Sequence, residues 1–263
     1  QGLGRLENFQ ASGEALRRRL SLEEGALTNV QDALVRVREL AVEAGGGVQT
    51  NDTRRAIAAE IRELLSGMVD SANSQDGEGR YLFGGNAVTG RPVTRAGGTA
   101  VYNGDDGVRL QRVGENRSLR EGDAGSDVFF RIRGGNGTYS VAGDTANQGT
   151  AFFTAATVTD TASWIADDYS IQFTGPGSWT VTDSGGATVA SGSWQAGDAI
   201  QFRGVSVTFN GAPATGDRFA VTASDHGSIF AMVDRLAATL ESDSATPQGR
   251  AAFQTSLNAV LLD

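Results

Sequence analysis

From Leu16 to Ala44 the chain reads LRRRLSLEEGALTNVQDALVRVRELAVEA, with apolar residues at Leu16, Leu20, Leu27, Val30, Leu34, Val37, Ala41 and Ala44. With Glu23 taking one position, the gaps alternate three and four. That is the a/d pattern of a narrow helical seam. It runs back through Phe9 and Leu6, with Gly13 as its weakest point. At roughly 1.5 Å per residue such a helix is a rod of about 60 Å. A seam this narrow buries little by itself, so the rod needs partner helices. It reaches the first residues with no start signal, and the last apolar stripe stops at Asp263 with no stop signal. The chain therefore reads as a piece of a longer protein.

The partner helices follow from the same pattern. Gly45-Gly46-Gly47 is a helix end, and Asn51-Asp52-Thr53 supplies helix-start residues. Ile57, Ile61, Leu64, Leu65, Met68, Val69 and Ala72 then form a broad apolar face. A short loop between two such helices predicts an antiparallel hairpin. Leu27 and Leu34 are expected to pack with Ile61 and Leu65. After His226-Gly227-Ser228 a third stripe runs through Ile229, Val233, Leu236 and Leu240. A fourth follows Pro247 through Phe253, Leu257, Val260 and Leu261.

Between the two helical parts the period changes to alternation. Val101-Tyr102 and Val108 to Leu110 flank Asn103 to Gly107, turn chemistry between two short strands that predicts a β-hairpin or small sheet packed on the helices. Further strands are expected at 138–141, 169–174, 179–182, 188–193, 199–202, 205–209 and 218–222. Turns such as Gly175-Pro176-Gly177, Ser184-Gly185-Gly186 and Asn210-Gly211 separate them. Short strands at about 8–12 residue spacing predict a sandwich or barrel. Residues 146–163 fit either a strand or a long loop. The fold class is thus α+β: an elongated antiparallel helical rod with a β-hairpin, plus an inserted all-β domain. The rod takes residues 1–125 and 224–263, and the insertion takes 126–223.

Composition narrows the function classes. The 263 residues carry a net charge of -9, which argues against a general nucleic-acid binder. There are no cysteines, so disulfides, thiol catalysis and cysteine metal sites are excluded. No apolar run reaches the roughly 18 residues that a spanning helix needs.

Two stretches carry a family likeness. Ser21 to Gln31 with Arg36 to Ala44 resembles the first rod helix of bacterial flagellins and their relatives. Asn73-Ser74-Gln75-Asp76-Gly77-Glu78-Gly79-Arg80-Tyr81-Leu82-Phe83-Gly84-Gly85 resembles the hook-filament junction family, the third hook-associated proteins. Tyr102-Asn103-Gly104-Asp105 and Gly125 to Phe129 fit that family, and Tyr169 to Thr222 is similar to a β domain of several hook-associated proteins. The likeness fades over 134–168. It implies a non-catalytic structural adaptor of the flagellum, placed between the first hook-associated protein and the flagellin filament. It implies export through the flagellar apparatus, an export chaperone as partner, and an extracellular location. In that arrangement the rod mates with neighbouring rods and the β domain projects outward. No enzyme activity, cofactor, metal site, nucleic acid or membrane enters this reading, and the 263-residue piece alone is expected to be monomeric.

Other residues carry competing signals. Trp164, Trp179 and Trp194 fit either an aromatic sugar-binding strip or a strand core, and the core is the expectation. The strip is the one support for an alternative, a carbohydrate-binding or adhesin-like module on a helical stalk. A divergent flagellin is a second alternative. His226, the single histidine, lacks a nucleophile or metal cluster in sequence around it. Asp105-Asp106-Gly107 lacks the remaining ligands of a calcium loop. Gly134-Gly135-Asn136-Gly137 precedes no helix and is no phosphate cradle. Arg17-Arg18-Arg19 is expected largely off the seam, either solvated or facing an acidic neighbour in an assembly.

Overall fold

The computed structural model describes residues 2–46, 49–96, 98–175, 177–242 and 244–262. Gly47 and Pro176, expected in a helix end and a turn, lie outside these, as does Asp263. Two helices open the chain, α1 (Gly2–Gly45) and α2 (Asn51–Ala72). Four short strands follow: β1 (Val93–Ala96), β2 (Thr99–Tyr102), β3 (Leu110–Gly114) and β4 (Arg117–Arg120). A π-helical turn spans Ser126–Phe130. Next come β5 (Ile132–Arg133), β6 (Tyr139–Gly143), β7 (Phe152–Val158), β8 (Tyr169–Gly175), β9 (Ser178–Thr182), β10 (Thr188–Ser193), β11 (Ala199–Phe202), β12 (Val205–Asn210), β13 (Arg218–Ala223) and β14 (His226–Gly227). Helices α3 (Ile229–Glu241) and α4 (Pro247–Leu262) close it.

Packing divides the chain into two compact units. One comprises Gln1–Glu39, Glu60–Ile132 and Gly227–Asp234; the other comprises Leu40–Ala59, Arg133–His226 and Arg235–Asp263.

The buried row of α1 differs from the expected one. Leu16, Arg19, Glu23, Ala26, Val30, Val37, Leu40 and Ala44 are all buried. Ala41 is buried as well, so the expected seam keeps Leu16, Glu23, Val30, Val37, Ala41 and Ala44, while Arg19 and Ala26 are buried in place of Leu20 and Leu27. Leu20 is 41% exposed. Leu27 and Leu34 are half-buried, whereas Ile61 and Leu65 are buried as expected. One further ionisable side chain, Arg19, thus joins Glu23 in the seam, beside the position where Leu20 was expected. The second helix keeps its expected face, with Leu64 only half-buried.

The expected hairpin across Asn103 to Gly107 does not form. Instead β2 pairs with β1, and β3 pairs with β4. The intervening loop is held by Asp105, whose Oδ1 accepts the amides of Asn86 at 2.8 Å and Gly107 at 2.7 Å.

In the other unit the strands lie close to their expected positions, and β7 resolves the ambiguous 146–163 stretch. A five-stranded antiparallel sheet runs β10-β9-β8-β13-β6 and a three-stranded one runs β11-β12-β7. Inward residues of both sheets form one core, including Phe153, Ile171, Phe173, Val207, Phe209, Phe219 and Val221. The two sheets stay separate, so the arrangement is a sandwich and the barrel alternative falls. Phe173 stands edge-on to Trp194, Phe209 and Phe219 at centroid distances of 5.3, 5.6 and 6.1 Å. Tyr139 is fully buried, with its hydroxyl donating to the carbonyls of Thr157 and Ser206. Burial pushes its pKa up to about 12. Helix α4 packs on β6 and β7, and Asn258 Nδ2 donates to Phe153 O at 2.7 Å.

Candidate functional site

The stretch that carried the sharpest likeness, Asn73 to Gly85, begins where α2 ends. Asn73 closes the helix. Its Nδ2 donates to Val69 O and Val93 O, each at 2.9 Å, and its Oδ1 accepts Val93 N–H at 2.9 Å. One side chain thereby ties the helix end to the start of β1.

Asp76 organises the following turn. Its Oδ1 accepts the amides of Glu78 at 2.9 Å and Arg80 at 3.0 Å. Its Oδ2 accepts Arg80 Nε at 3.0 Å and Arg19 Nη1 at 2.6 Å. Burial would raise its pKa, but the two amides and the Arg80 guanidinium outweigh that and hold it below the usual range.

Arg19 reaches this turn from the α1 seam. Besides Asp76, it donates to Tyr81 O at 3.0 Å, Leu82 O at 3.2 Å and Glu121 O at 3.2 Å. Every guanidinium nitrogen is therefore used within the chain. Arg17 and Arg18 are exposed, but Arg19 is buried. The run thus lies largely off the seam, as expected, and Arg19 is the member that enters it. The planar fork of arginine serves several acceptors at once, which a lysine ammonium does not do with the same geometry.

Beyond the turn, Phe83 is fully buried and meets the Phe129 ring edge-on at 4.9 Å. Phe129 in turn lies 5.6 Å from Phe230. Phe83 O accepts Tyr102 Oη at 2.8 Å and Gly125 N–H at 2.9 Å. Gly85 has φ +67, and a Cβ there would stand 2.2 Å from Asp105 O, so only glycine fits. The motif Asn73 to Gly85 is thus a knot joining α1, the end of α2, β1 and the turn at 126–130.

The other candidates resolve in place. Asp106 accepts Ser126 Oγ at 2.6 Å and pairs with Arg131. The Ser126 hydroxyl and the Arg131 charge hold its pKa low. Asp105 and Asp106 are both spent on protein donors. Trp179 and Trp194 are buried, and their Nε1 groups donate to Ser193 O and Asp198 O, each at 3.1 Å. Trp164 is half-buried against Tyr139 and Tyr169 at 5.7 and 5.6 Å. The three indoles belong to the sandwich core, which removes the support for a sugar-binding strip. His226 is exposed. Asn136 Oδ1 accepts the amides of Thr138 and Tyr139, making Gly134 to Gly137 a turn. Among the described residues, no group of three or more His, Cys, Asp or Glu is placed to hold a metal ion. Among them, no helix is long and apolar enough to cross a membrane.

One exposed feature remains. Leu6 and Leu20 are exposed on α1; with the half-buried Phe9 and Gly13 and the buried Leu16 they follow a three-four spacing and border open grooves of about 540 and 780 Å³. Val113 and Leu119 of the β3–β4 hairpin line the opposite wall.

Comparison with known proteins bears on the same regions. The bacterial flagellin N-terminal helical region matches residues 2–88, and the D2-like domain of flagellar hook-associated protein 1 matches residues 142–223. Flagellar hook-associated protein 3 of Salmonella typhimurium is 32% identical over 114 residues. That match covers 43% of this chain and 35% of the relative, so only about a third of the curated protein's length is aligned. The crystal structure of Xanthomonas campestris FlgL superposes with a TM-score of 0.95 at 34% identity, covering 100% of this chain and 87% of the other. The flagellar junction protein FlgL from Legionella pneumophila gives 0.92 at 30% identity, covering 100% and 84%.

Proposed function

The chain belongs to the FlgL family, flagellar hook-associated protein 3, and on that premise we propose that it is a structural adaptor joining the hook-associated proteins to the flagellin filament. The observation that carries the reading is the superposition on FlgL over the whole chain. The knot at Asn73 to Gly85 supports it. Its polar groups face one another and the backbone, which suits a stiff mechanical element rather than a reacting centre. The role is non-catalytic. The neighbours are the first hook-associated protein on one side and flagellin on the other. The subunit reaches its place through the flagellar export apparatus, escorted by a chaperone, and works outside the cell. Leu6 and Leu20, exposed on α1 beside the open grooves, support rod-to-rod mating, since exposed apolar residues at a seam are commonly interaction surfaces.

The test uses the full-length protein. Cells lacking its gene should build hooks without attached filaments and release flagellin into the medium, and restoring the gene should restore swimming. Filaments attached in normal number without it would overturn the reading.

The 263-residue chain by itself should be monomeric, because a net charge of -9 on every copy opposes self-association. Sedimentation equilibrium at micromolar concentration should give a single species of 27.3 kDa. A stable oligomer persisting in moderate salt would mean that the groove is a strong self-interface.

A further inference from the structure

The adaptor role has no use for a buried carboxylate on the α1 seam, yet Glu23 is only 4% exposed. Its Oε1 accepts Asp123 N–H at 3.0 Å. Its Oε2 is buried with no hydrogen-bond partner. The Gly122 backbone lies against that oxygen so closely that a Cβ there would stand 2.4 Å from it.

The surrounding charges offer Glu23 little help. Arg19, one turn away on the same helix, commits its guanidinium to Asp76, Tyr81 O, Leu82 O and Glu121 O. From the segment facing Glu23, Asp123 adds a second negative charge, and Glu121 pairs with Arg109. Arg109 Nη1 is also buried without a hydrogen bond. A small cavity of about 10 Å³ lies beside the facing segment, lined by Arg19, Arg109, Glu121, Gly122 and Asp123 among others. An ionised Glu23 would bury a full charge against one backbone donor, whereas a protonated one buries none.

We propose that Glu23 is a proton-dependent latch: protonated, it holds the 121–123 segment against α1, and ionised, it loosens that contact. Burial, the largest influence, raises the Glu23 pKa, and the Asp123 charge adds to it; the Asp123 amide and Arg19 oppose without cancelling them. The sign follows from linkage. A carboxyl whose folded pKa lies above its unfolded value binds more protons when folded, so stability falls as pH rises through that interval. The depressed carboxyls, Asp76 among them, act in the opposite sense at lower pH.

The experiment compares the native chain with Glu23→Gln, which keeps the acceptor for Asp123 N–H and carries no charge. Thermal midpoints are measured from about pH 4 to about pH 8, the span across which a raised carboxyl changes charge. The two proteins should melt together at the acid end, and the native chain should fall below the variant by a few degrees at the neutral end. Carboxyl-carbon NMR of the native chain reads the group without any substitution, and the Glu23 signal should titrate above the other glutamates. A midpoint difference constant with pH, or a Glu23 signal titrating with the exposed glutamates, would overturn the proposal.

Discussion

Replacing Arg19 with Met should destabilise the chain by about 3–5 kcal/mol, the usual cost of removing one partner from a buried charge pair. Methionine fills much of the stem's volume, so the loss reports on the guanidinium. Two consequences follow from the contacts. Asp76, whose side chain is 7% exposed, would keep only Arg80 as a cation. The carbonyls of Tyr81, Leu82 and Glu121 would also lose a donor. Urea unfolding followed by helical signal gives the number. Adding Asp76→Asn to the variant should recover part of the loss, because the stranded charge is then gone. A single-variant loss under about 1 kcal/mol, the range of an exposed ion pair, would mean the pair is open to water. The native pair has its own pH signature. Asp76 is depressed in the fold, so its contribution is present above the unfolded aspartate value of about 3.9 and is lost as pH falls through the lower folded value.

Asp217→Ala should cost about 3 kcal/mol in the other unit, because it leaves several amides unpaired. Asp217 is 3% exposed and has no cationic partner among the described ion pairs. Its Oδ1 accepts Gln148 N–H at 2.8 Å, and its Oδ2 accepts those of Gly149 at 3.0 Å and Ala214 at 2.9 Å. The carboxylate therefore holds the 148–149 loop against the turn before β13. Asp217→Asn keeps one acceptor oxygen and should fall between native and alanine. Amide exchange at Gln148, Gly149 and Ala214 should accelerate in the alanine variant. Unchanged protection there would show that the loop is held by other contacts.

The sequence made some parts of this fold legible and hid others. Strands such as Thr188–Ser193 and Ala199–Phe202 were placed correctly because alternation and turn residues are local signals. The α1 seam was legible at Leu16, Val30, Val37, Ala41 and Ala44 and shifted by one position at Arg19 and Ala26. Leu20 and Leu27 satisfy a three-four ladder as well as Arg19 and Ala26 do, and apolarity favours the leucines. What decides between the rows is the set of partners for Arg19, which lie 57 to 102 residues away. No local pattern carries that information. The hairpin across 103–107 failed for a related reason: Asp105 has a better use for its carboxylate with Asn86, 19 residues earlier. The motif at Asn73 to Gly85 was legible as a family mark, but its role as a knot was not.

Much of that knot grips main-chain atoms. Arg19, Asn73, Asp105 and Tyr102 reach the carbonyls or amides of Tyr81, Leu82, Glu121, Val69, Val93, Asn86, Gly107 and Phe83. Every residue carries a carbonyl, and every residue but proline an amide. These contacts act on the backbone of the gripped positions and on the side chains of the gripping ones. Part of the shape is thus written in backbone groups that do not depend on the letters, alongside a backbone match of 0.95 at 34% identity.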